Sequence, residues 1–318
     1  MRGNWGRSRR CGRVAVVAMA VMALAAGLAG CRQAHQDAGS AGSAMSVPVG
    51  SSSHSIVAGG LTRTYIVYRP AVLPAAAPLV VMLHGGFGTA SQAQKSYHWD
   101  AEADAGHFLV AYPNGLNRAW NAGGGCCGTP AKVGTNDVAF ITAVVAAISR
   151  AVHVDAGRVY ATGISNGGIM AYDLACHTAV FAAIGPDSAT ELGGCRHPAR
   201  LSVIAIHGTA DQNIPYDGGE GDGFAHIDGP SVPAVNAAWR HADGCAAPKA
   251  ATRATVTTSV ARCPGGRAVE LITIAGAGHQ WPGGTSSPVV QKLLGLDPPS
   301  TALDATAVIW RFFAAHAR

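Results

Sequence analysis

Val159-Tyr160-Ala161-Thr162-Gly163-Ile164-Ser165-Asn166-Gly167-Gly168 is the stretch that decides how this chain folds. Val159–Thr162 reads as a strand, and Gly167–Cys176 reads as a helix. Between them stands Gly163-Ile164-Ser165-Asn166-Gly167, a G-x-S-x-G sequence in the strand–turn–helix context that gives the pattern its meaning. So sharp a corner forces the serine into a strained backbone conformation, while glycines two residues to either side let neighbouring segments come close. The serine hydroxyl is then lifted clear of the sheet's carboxyl edge, with a helix N-terminus aimed at it.

The same alternation of elements continues on both sides. Thr62–Arg69 alternates as a half-buried strand does, and Pro78–Leu83 and Phe108–Tyr112 are short apolar runs suited to buried strands. Asn136-Asp137 precede the helical stretch Val138–Val152. Leu201–Ile206 and Val269–Ile274 read as further strands, and Ala302–Ala315 as a closing amphipathic helix. Strands alternating with helices predict a mostly parallel sheet covered on both faces. No second hydrophobic unit separates from the first, so one domain is expected from residue 56 to 318.

A serine hydroxyl is a poor nucleophile near neutral pH and needs a base. Where a strand–turn–helix corner carries the nucleophile, the partners follow in the order serine, acid, histidine. Asp211, in Ile206-His207-Gly208-Thr209-Ala210-Asp211, lies just past one strand, and His279 lies just past Val269–Ile274. Both stand at carboxyl ends of strands, where open parallel sheets keep their active sites. Among rival acids, Asp187 follows the nucleophile helix too soon and is expected only to cap a turn. Asp217, Asp222 and Asp228 fall in a Gly-rich loop and read as solvated charges. His207 precedes the acid rather than following it. For the developing oxyanion, His84-Gly85-Gly86 after Pro78–Leu83 is the expected source of one N–H, from Gly85 or Gly86, and Asn166 of the second.

The amino terminus reads as a targeting segment. Arg2, Arg7, Arg9, Arg10 and Arg13 precede the uncharged run Val14–Gly30, which is short for a membrane span. It ends in Leu28-Ala29-Gly30-Cys31, which looks like a bacterial lipobox, with the lipid expected on the Cys31 thiol. Residues 1–31 are therefore expected to be a lipoprotein signal peptide, and residues 32–55 a flexible tether. Those five arginines account for the whole formal charge of +5, leaving 18 basic against 18 acidic residues. Nothing in that balance points to nucleic acid.

Export makes six further cysteines legible as disulfides: Cys126, Cys127, Cys176, Cys195, Cys245 and Cys263. Sequence-local pairing joins Cys176 to Cys195 and Cys245 to Cys263, leaving Cys126 and Cys127 to pair with each other or stay reduced. The second span runs towards the strand that carries His279, so cutting that bond is expected to loosen the His279 loop. A zinc site has no CxxC or spaced histidine pair to support it.

Taken together, Val80–Gly88 (VVMLHGGFG), Tyr112–Asn121 (YPNGLNRAWN), Cys126-Cys127-Gly128, Val159–Gly168 (VYATGISNGG), Ile206–Asp211 (IHGTAD) and Gly278–Gly283 (GHQWPG) resemble the polyhydroxybutyrate-depolymerase-like esterases. That group includes feruloyl and acetylxylan esterases and actinobacterial esterase lipoproteins, and the likeness runs from about residue 57 onward. It implies an α/β-hydrolase fold, triad roles for Ser165, Asp211 and His279, and substrate-facing positions for Trp120 and Trp281. Asn136-Asp137 stands where the family usually shows two aspartates, a departure expected to touch only helix capping. The expected activity is hydrolysis of a carboxylic ester through an acyl-enzyme, with no metal or organic cofactor needed. The rival from another class is a non-catalytic surface lipoprotein that keeps the fold for binding. Candidate substrates are hydroxyalkanoate oligomers, feruloyl or acetyl esters, and small lipidic esters. With no separate polymer-binding module within 318 residues, soluble oligomers or short acyl esters are expected rather than crystalline polymer.

Overall fold

The computed structural model describes residues 45–286, 291 and 297–318. The signal and lipobox assigned to residues 1–31, Cys31 included, and the tether's first part lie outside the described residues. A ten-stranded sheet runs in the order β1-β2-β4-β3-β5-β6-β7-β12-β11-β10. Its members are β1 (Gly50–Ala58), β2 (Leu61–Arg69), β3 (Ala77–Leu83), β4 (Leu109–Pro113), β5 (Val154–Ile164), β6 (Ala183–Asp187), β7 (Ser202–Gly208), β10 (Lys249–Arg253), β11 (Val256–Arg262) and β12 (Ala268–Ile274). The six central strands from β4 to β12 pair in parallel, and an antiparallel ribbon completes each edge. A two-stranded hairpin, β8 (Gly219–Glu220) with β9 (Asp228–Gly229), stands apart from this sheet.

Burial follows from the strand period of two. In β3, Leu79, Val81 and Leu83 enter one core while Val80 and Met82 enter the other, so the whole strand is apolar and buried. The first core is roofed by helices α4 (Asp137–Ala151), α5 (Asn166–His177) and α6 (Val232–Ala242). The second lies under α1 (Ala90–Ser96), α2 (Trp99–Gly106) and α7 (Ala305–Ala315), with the short α3 (Gly128–Lys132) outside both. The expected layering of helices on both faces of a mostly parallel sheet is therefore present.

Several boundaries differ from the sequence reading. Gly50–Ala58 is an edge strand paired residue by residue with β2, so the tether expected as far as residue 55 gives way to sheet at residue 50. Ser51, Ser52, Ser53 and Ser55 hide it, because an edge strand buries little and so carries no apolar alternation. β6 is a central strand whose sequence, AIGPD, contains the two residues that ordinarily mark a break. α7 begins at Ala305 rather than residue 302, because the Asp304 carboxylate accepts the Ala307 N–H and caps it there.

Cys176 pairs with Cys195 and Cys245 with Cys263, as the sequence suggests, and Cys126 pairs with Cys127. The Cys245–Cys263 bond joins the chain after α6 to the turn that enters β12. It therefore sits at the amino end of β12, whereas His279 follows its carboxyl end. The expectation that this bond steadies the His279 loop is corrected on that ground.

Candidate active site

Five strand ends converge on one edge. β3 leads into His84-Gly85, β5 into Ser165, β6 ends at Asp187, β7 leads into Asp211, and β12 leads into His279. Ser165 has φ 55° and ψ −127°, the left-handed corner expected of a strand-to-helix elbow. That strain is held from two sides. Ser165 N–H donates to Asp187 O at 3.0 Å, and Ile169 N–H donates to Ser165 O at 2.8 Å in the first turn of α5. Gly167 has to be glycine, since a Cβ there would lie 2.3 Å from Leu83 O and 2.6 Å from His84 O. The tight corner thus packs the Ser165 turn against the end of β3.

Asp211 and His279 are brought together by knitting the loops after β7 and β12. Thr209 N–H donates to Ile274 O at 3.0 Å, and Ala210 N–H donates to Ala277 O at 2.9 Å. Gly208 permits that approach, because a Cβ there would stand 2.2 Å from Ala277 O. As a result His279 Nδ1–H donates to Asp211 Oδ2 at 2.8 Å, with both side chains buried. In its neutral form the ring then carries its lone pair on Nε2, the side available to a substrate. Asp211 Oδ1 accepts the N–H groups of Asn213 and Ile214, each at 2.9 Å. Burial alone would raise the Asp211 pKa, but the charges and hydrogen bonds of His279 and His207 outweigh it and hold the carboxyl well below its usual range. Among the described residues Ser165 Oγ makes no hydrogen bond, so the Asp211–His279 link is formed and a Ser165–His279 link is not.

His207, the rival base, occupies the other side of the same acid. Its Nε2 lies 3.3 Å from Asp211 Oδ2 and donates to Ile214 O at 2.8 Å, so it props the acid from within the fold. Asp187 does not cap a turn: it is fully buried at the end of β6, and neither carboxylate oxygen has a partner among the described residues. Burial, with the nearby Asp211 charge adding to it, pushes this carboxyl well above its usual range and keeps its proton on. Asp217 precedes the β8–β9 hairpin, Asp222 lies in its connecting loop and Asp228 in its second strand, while His279 pairs with Asp211.

The candidate oxyanion segment is built from the far side. Gly85 passes close to Ser165, since a Cβ on it would stand 3.5 Å from Ser165 Cβ, while Gly86 faces open space. His84 fixes this backbone: Nδ1–H donates to Gly85 O at 2.8 Å, and Nε2 accepts the Gly115 N–H at 2.9 Å. Burial pushes the imidazole down to about 4, against an opposing effect of the Gly85 bond, with the Arg118 and Arg63 charges lowering it further. A neutral ring with its proton on Nδ1 is what both hydrogen bonds require. Asn166 opens α5 with its N–H at the helix start, while its side chain clamps Trp120, accepting its N–H at 2.7 Å and donating to its carbonyl at 3.1 Å.

Trp120 and Trp281, expected to face substrate, are both buried and act as supports. Trp120 Nε1–H donates to His84 O at 2.8 Å, fixing the glycine loop. Trp281 Nε1–H donates to Thr306 Oγ1 at 3.0 Å, and its ring lies 5.1 Å from that of Tyr97 beneath the His279 loop. Two further supports escape a sequence reading. Asp297 Oδ2 accepts the His279 N–H at 3.0 Å from eighteen residues away. Asn136 caps α4 as expected, its Oδ1 accepting the Ala139 N–H at 2.8 Å. Asp137, however, is buried against Arg63 at 2.8 Å and accepts the Asn121 N–H at 2.9 Å, so this position also secures the loop that carries Trp120.

Comparison with known proteins places the chain among esterases. The model of the family described as "Esterase PHB depolymerase" matches residues 63–212. The protein named "Putative esterase NocK" from Nocardia uniformis subsp. tsuyamanensis is 32% identical over 266 residues, covering 74% of this chain and 75% of that protein. "Feruloyl esterase B" from Piromyces equi is 32% identical over 221 residues, 64% of this chain and 40% of that longer protein. Among solved structures, the acetyl xylan esterase from Aspergillus awamori superposes with a TM-score of 0.57 at 15% identity, over 83% of this chain and 99% of that one. That likeness shows an α/β-hydrolase fold.

Proposed function

Since this chain belongs to the polyhydroxybutyrate-depolymerase family of esterases, we propose that it hydrolyses carboxylic esters through an acyl-enzyme on Ser165. The observation that carries this reading is the buried His279–Asp211 hydrogen bond of 2.8 Å at the sheet edge where Ser165 stands in a left-handed corner. Ser165 Oγ attacks the ester carbonyl carbon as His279 Nε2 takes its proton. Asp211 holds the imidazole by Nδ1–H and stabilises the imidazolium that forms. The carbonyl oxygen gains negative charge and is met by N–H donors of the Gly85-Gly86 segment and of Asn166, each worth about 3 kcal/mol of transition-state stabilisation. Collapse expels the alcohol, which takes the proton from His279. Water, deprotonated by the same histidine, then releases the acid and restores Ser165.

The chain's lipobox-like Leu28-Ala29-Gly30-Cys31 supports an exported form held at the cell envelope by a lipid on Cys31. Three disulfides in the folded domain fit an oxidising compartment. Ser165→Ala and His279→Ala should each lower turnover of p-nitrophenyl butyrate by several orders of magnitude with the fold intact. Wild-type rates in a correctly folded Ser165→Ala protein would remove the assignment.

A further inference from the structure

The Asp211 carboxylate meets more donors than the reaction requires. His279 Nδ1–H donates to Oδ2 at 2.8 Å, and the N–H groups of Asn213 and Ile214 donate to Oδ1 at 2.9 Å each. His207 adds another, its Nε2 lying 3.3 Å from the same Oδ2 that His279 holds. This histidine is the last residue but one of β7 and is buried, and its Nε2 also reaches Ile214 O at 2.8 Å. A carbonyl oxygen only accepts, so Nε2 carries a proton, shared between Ile214 O and Asp211 Oδ2. Ile214 gives its N–H to Asp211 and receives His207 on its carbonyl. The acid, the turn that follows it and His207 are thereby tied into one closed unit.

The ring is held in that orientation by its neighbours. Tyr216 meets it edge-on at a centroid distance of 6.0 Å, and the Tyr216 hydroxyl lies 2.9 Å from Thr273 Oγ1 on β12, the strand partner of His207. His207 Nδ1 is buried and has no partner among the described residues, so neither ring nitrogen is free to meet a substrate. The titratable groups that act on Asp211 are His279, from the loop after β12, and His207, from β7 itself; no lysine or arginine is among them. Asp187, at the end of β6, faces the same acid but keeps its proton. Burial pushes the Asp211 carboxyl up, and the His279 charge together with hydrogen bonds from both imidazoles more than reverses that.

We infer that His207 is a positioning residue that shares Asp211 Oδ2 with His279 and so sets how strongly the acid grips the catalytic imidazole. Two consequences follow from the shared oxygen. The negative charge that His207 stabilises is not fully available to His279, so the imidazole gives up its solvent proton at lower pH and is ready as a base nearer neutrality. The carboxylate is also fixed from the side opposite His279, which keeps Oδ2 aimed at Nδ1–H while the imidazolium forms. Removing the Nε2 donor therefore makes His279 harder to deprotonate and lets the acid swing. This inference rests on the ester-hydrolase reading above and assigns a further residue of that same site.

The test compares His207→Gln with His207→Met, two side chains of equal length of which only the first keeps an N–H donor. Hydrolysis of p-nitrophenyl butyrate is measured from pH 5 to pH 9, with rates normalised to the sites that a fluorophosphonate labels, so that misfolded protein does not count. In His207→Met the acid limb of kcat/KM should move up by about half a pH unit. Its kcat should fall about tenfold, with KM little changed because His207 touches no substrate. His207→Gln should return both the limb and kcat towards wild type. Should His207→Met not fold, His207→Phe, which keeps a ring beside Tyr216, carries the same expectation. An acid limb that stays in place or moves down in the donor-free variant overturns the inference while leaving the esterase reading intact. Equal behaviour of the Gln and donor-free variants, or a loss confined to thermal stability, would mark His207 as structural and overturn it too. A wild type that neither cleaves the ester nor takes the label refutes the esterase reading, and this inference falls with it.

Discussion

Acid should weaken this fold through His84 by an amount the structure sets. The side chain is buried, its imidazole is pushed down to about 4, and its Nε2 must stay unprotonated to accept the Gly115 N–H. In the unfolded chain the same group titrates near 6.5. Between those values the unfolded chain binds a proton that the folded chain refuses, so stability falls as pH drops from about 6.5 to about 4. Above 6.5 both states are neutral and His84 contributes no slope. The whole interval is worth about 3 kcal/mol. Urea denaturation followed by tryptophan fluorescence at several pH values, disulfides intact, measures the total loss. His84→Gln supplies the reference, because its amide oxygen can accept from Gly115 and does not titrate. The wild type should lose about 3 kcal/mol more than His84→Gln between pH 7.5 and 4. Parallel losses in the two proteins would mean that His84 is not held neutral by its site, and the account of the oxyanion loop would fall with it.

Asp187 titrates with the opposite sign. Its folded carboxyl keeps a proton that the unfolded chain releases near 3.8, so it costs stability as pH rises. Asp187→Asn should therefore raise the urea midpoint more at pH 7 than at pH 4, and an equal change at both would contradict the burial argument. Cys245→Ser/Cys263→Ser opens a loop of sequence separation 18 and should cost about 3 kcal/mol in stability. Because the bond lies at the amino end of β12, kcat/KM should stay near the wild-type value, and a joint collapse of rate and stability would refute that placement. Cys31→Ser should move the protein from the membrane fraction to the soluble exported fraction. Retention in the membrane would favour an uncleaved helix.

Much of the site could be read from the chain because its logic is local. A strand, a five-residue corner and a helix occupy consecutive positions around Ser165, and both Asp211 and His279 directly follow apolar strands. What stayed hidden depends on partners distant in sequence. β6 was invisible because Gly185 and Pro186 sit in a strand whose neighbours, not its own residues, hold it in place. β1 was hidden by serines that an edge strand tolerates. Trp120 and Trp281 are buried although their motif positions suggest substrate-facing roles, because motif position says where a side chain starts and not whether it is covered. Asp297 and Arg63 carry no local pattern at all. Their roles arise only when the His279 loop and the loop carrying Trp120 are folded against them.

The claim on which the rest depends is that Ser165 is an activated nucleophile. Treating the folded protein with a fluorophosphonate and mapping the adduct by peptide mass spectrometry tests it most directly. The account predicts one modified residue, Ser165, with labelling abolished in Ser165→Ala and strongly slowed in His279→Ala. Labelling at another serine, or undiminished labelling of Ser165 without His279, would contradict it.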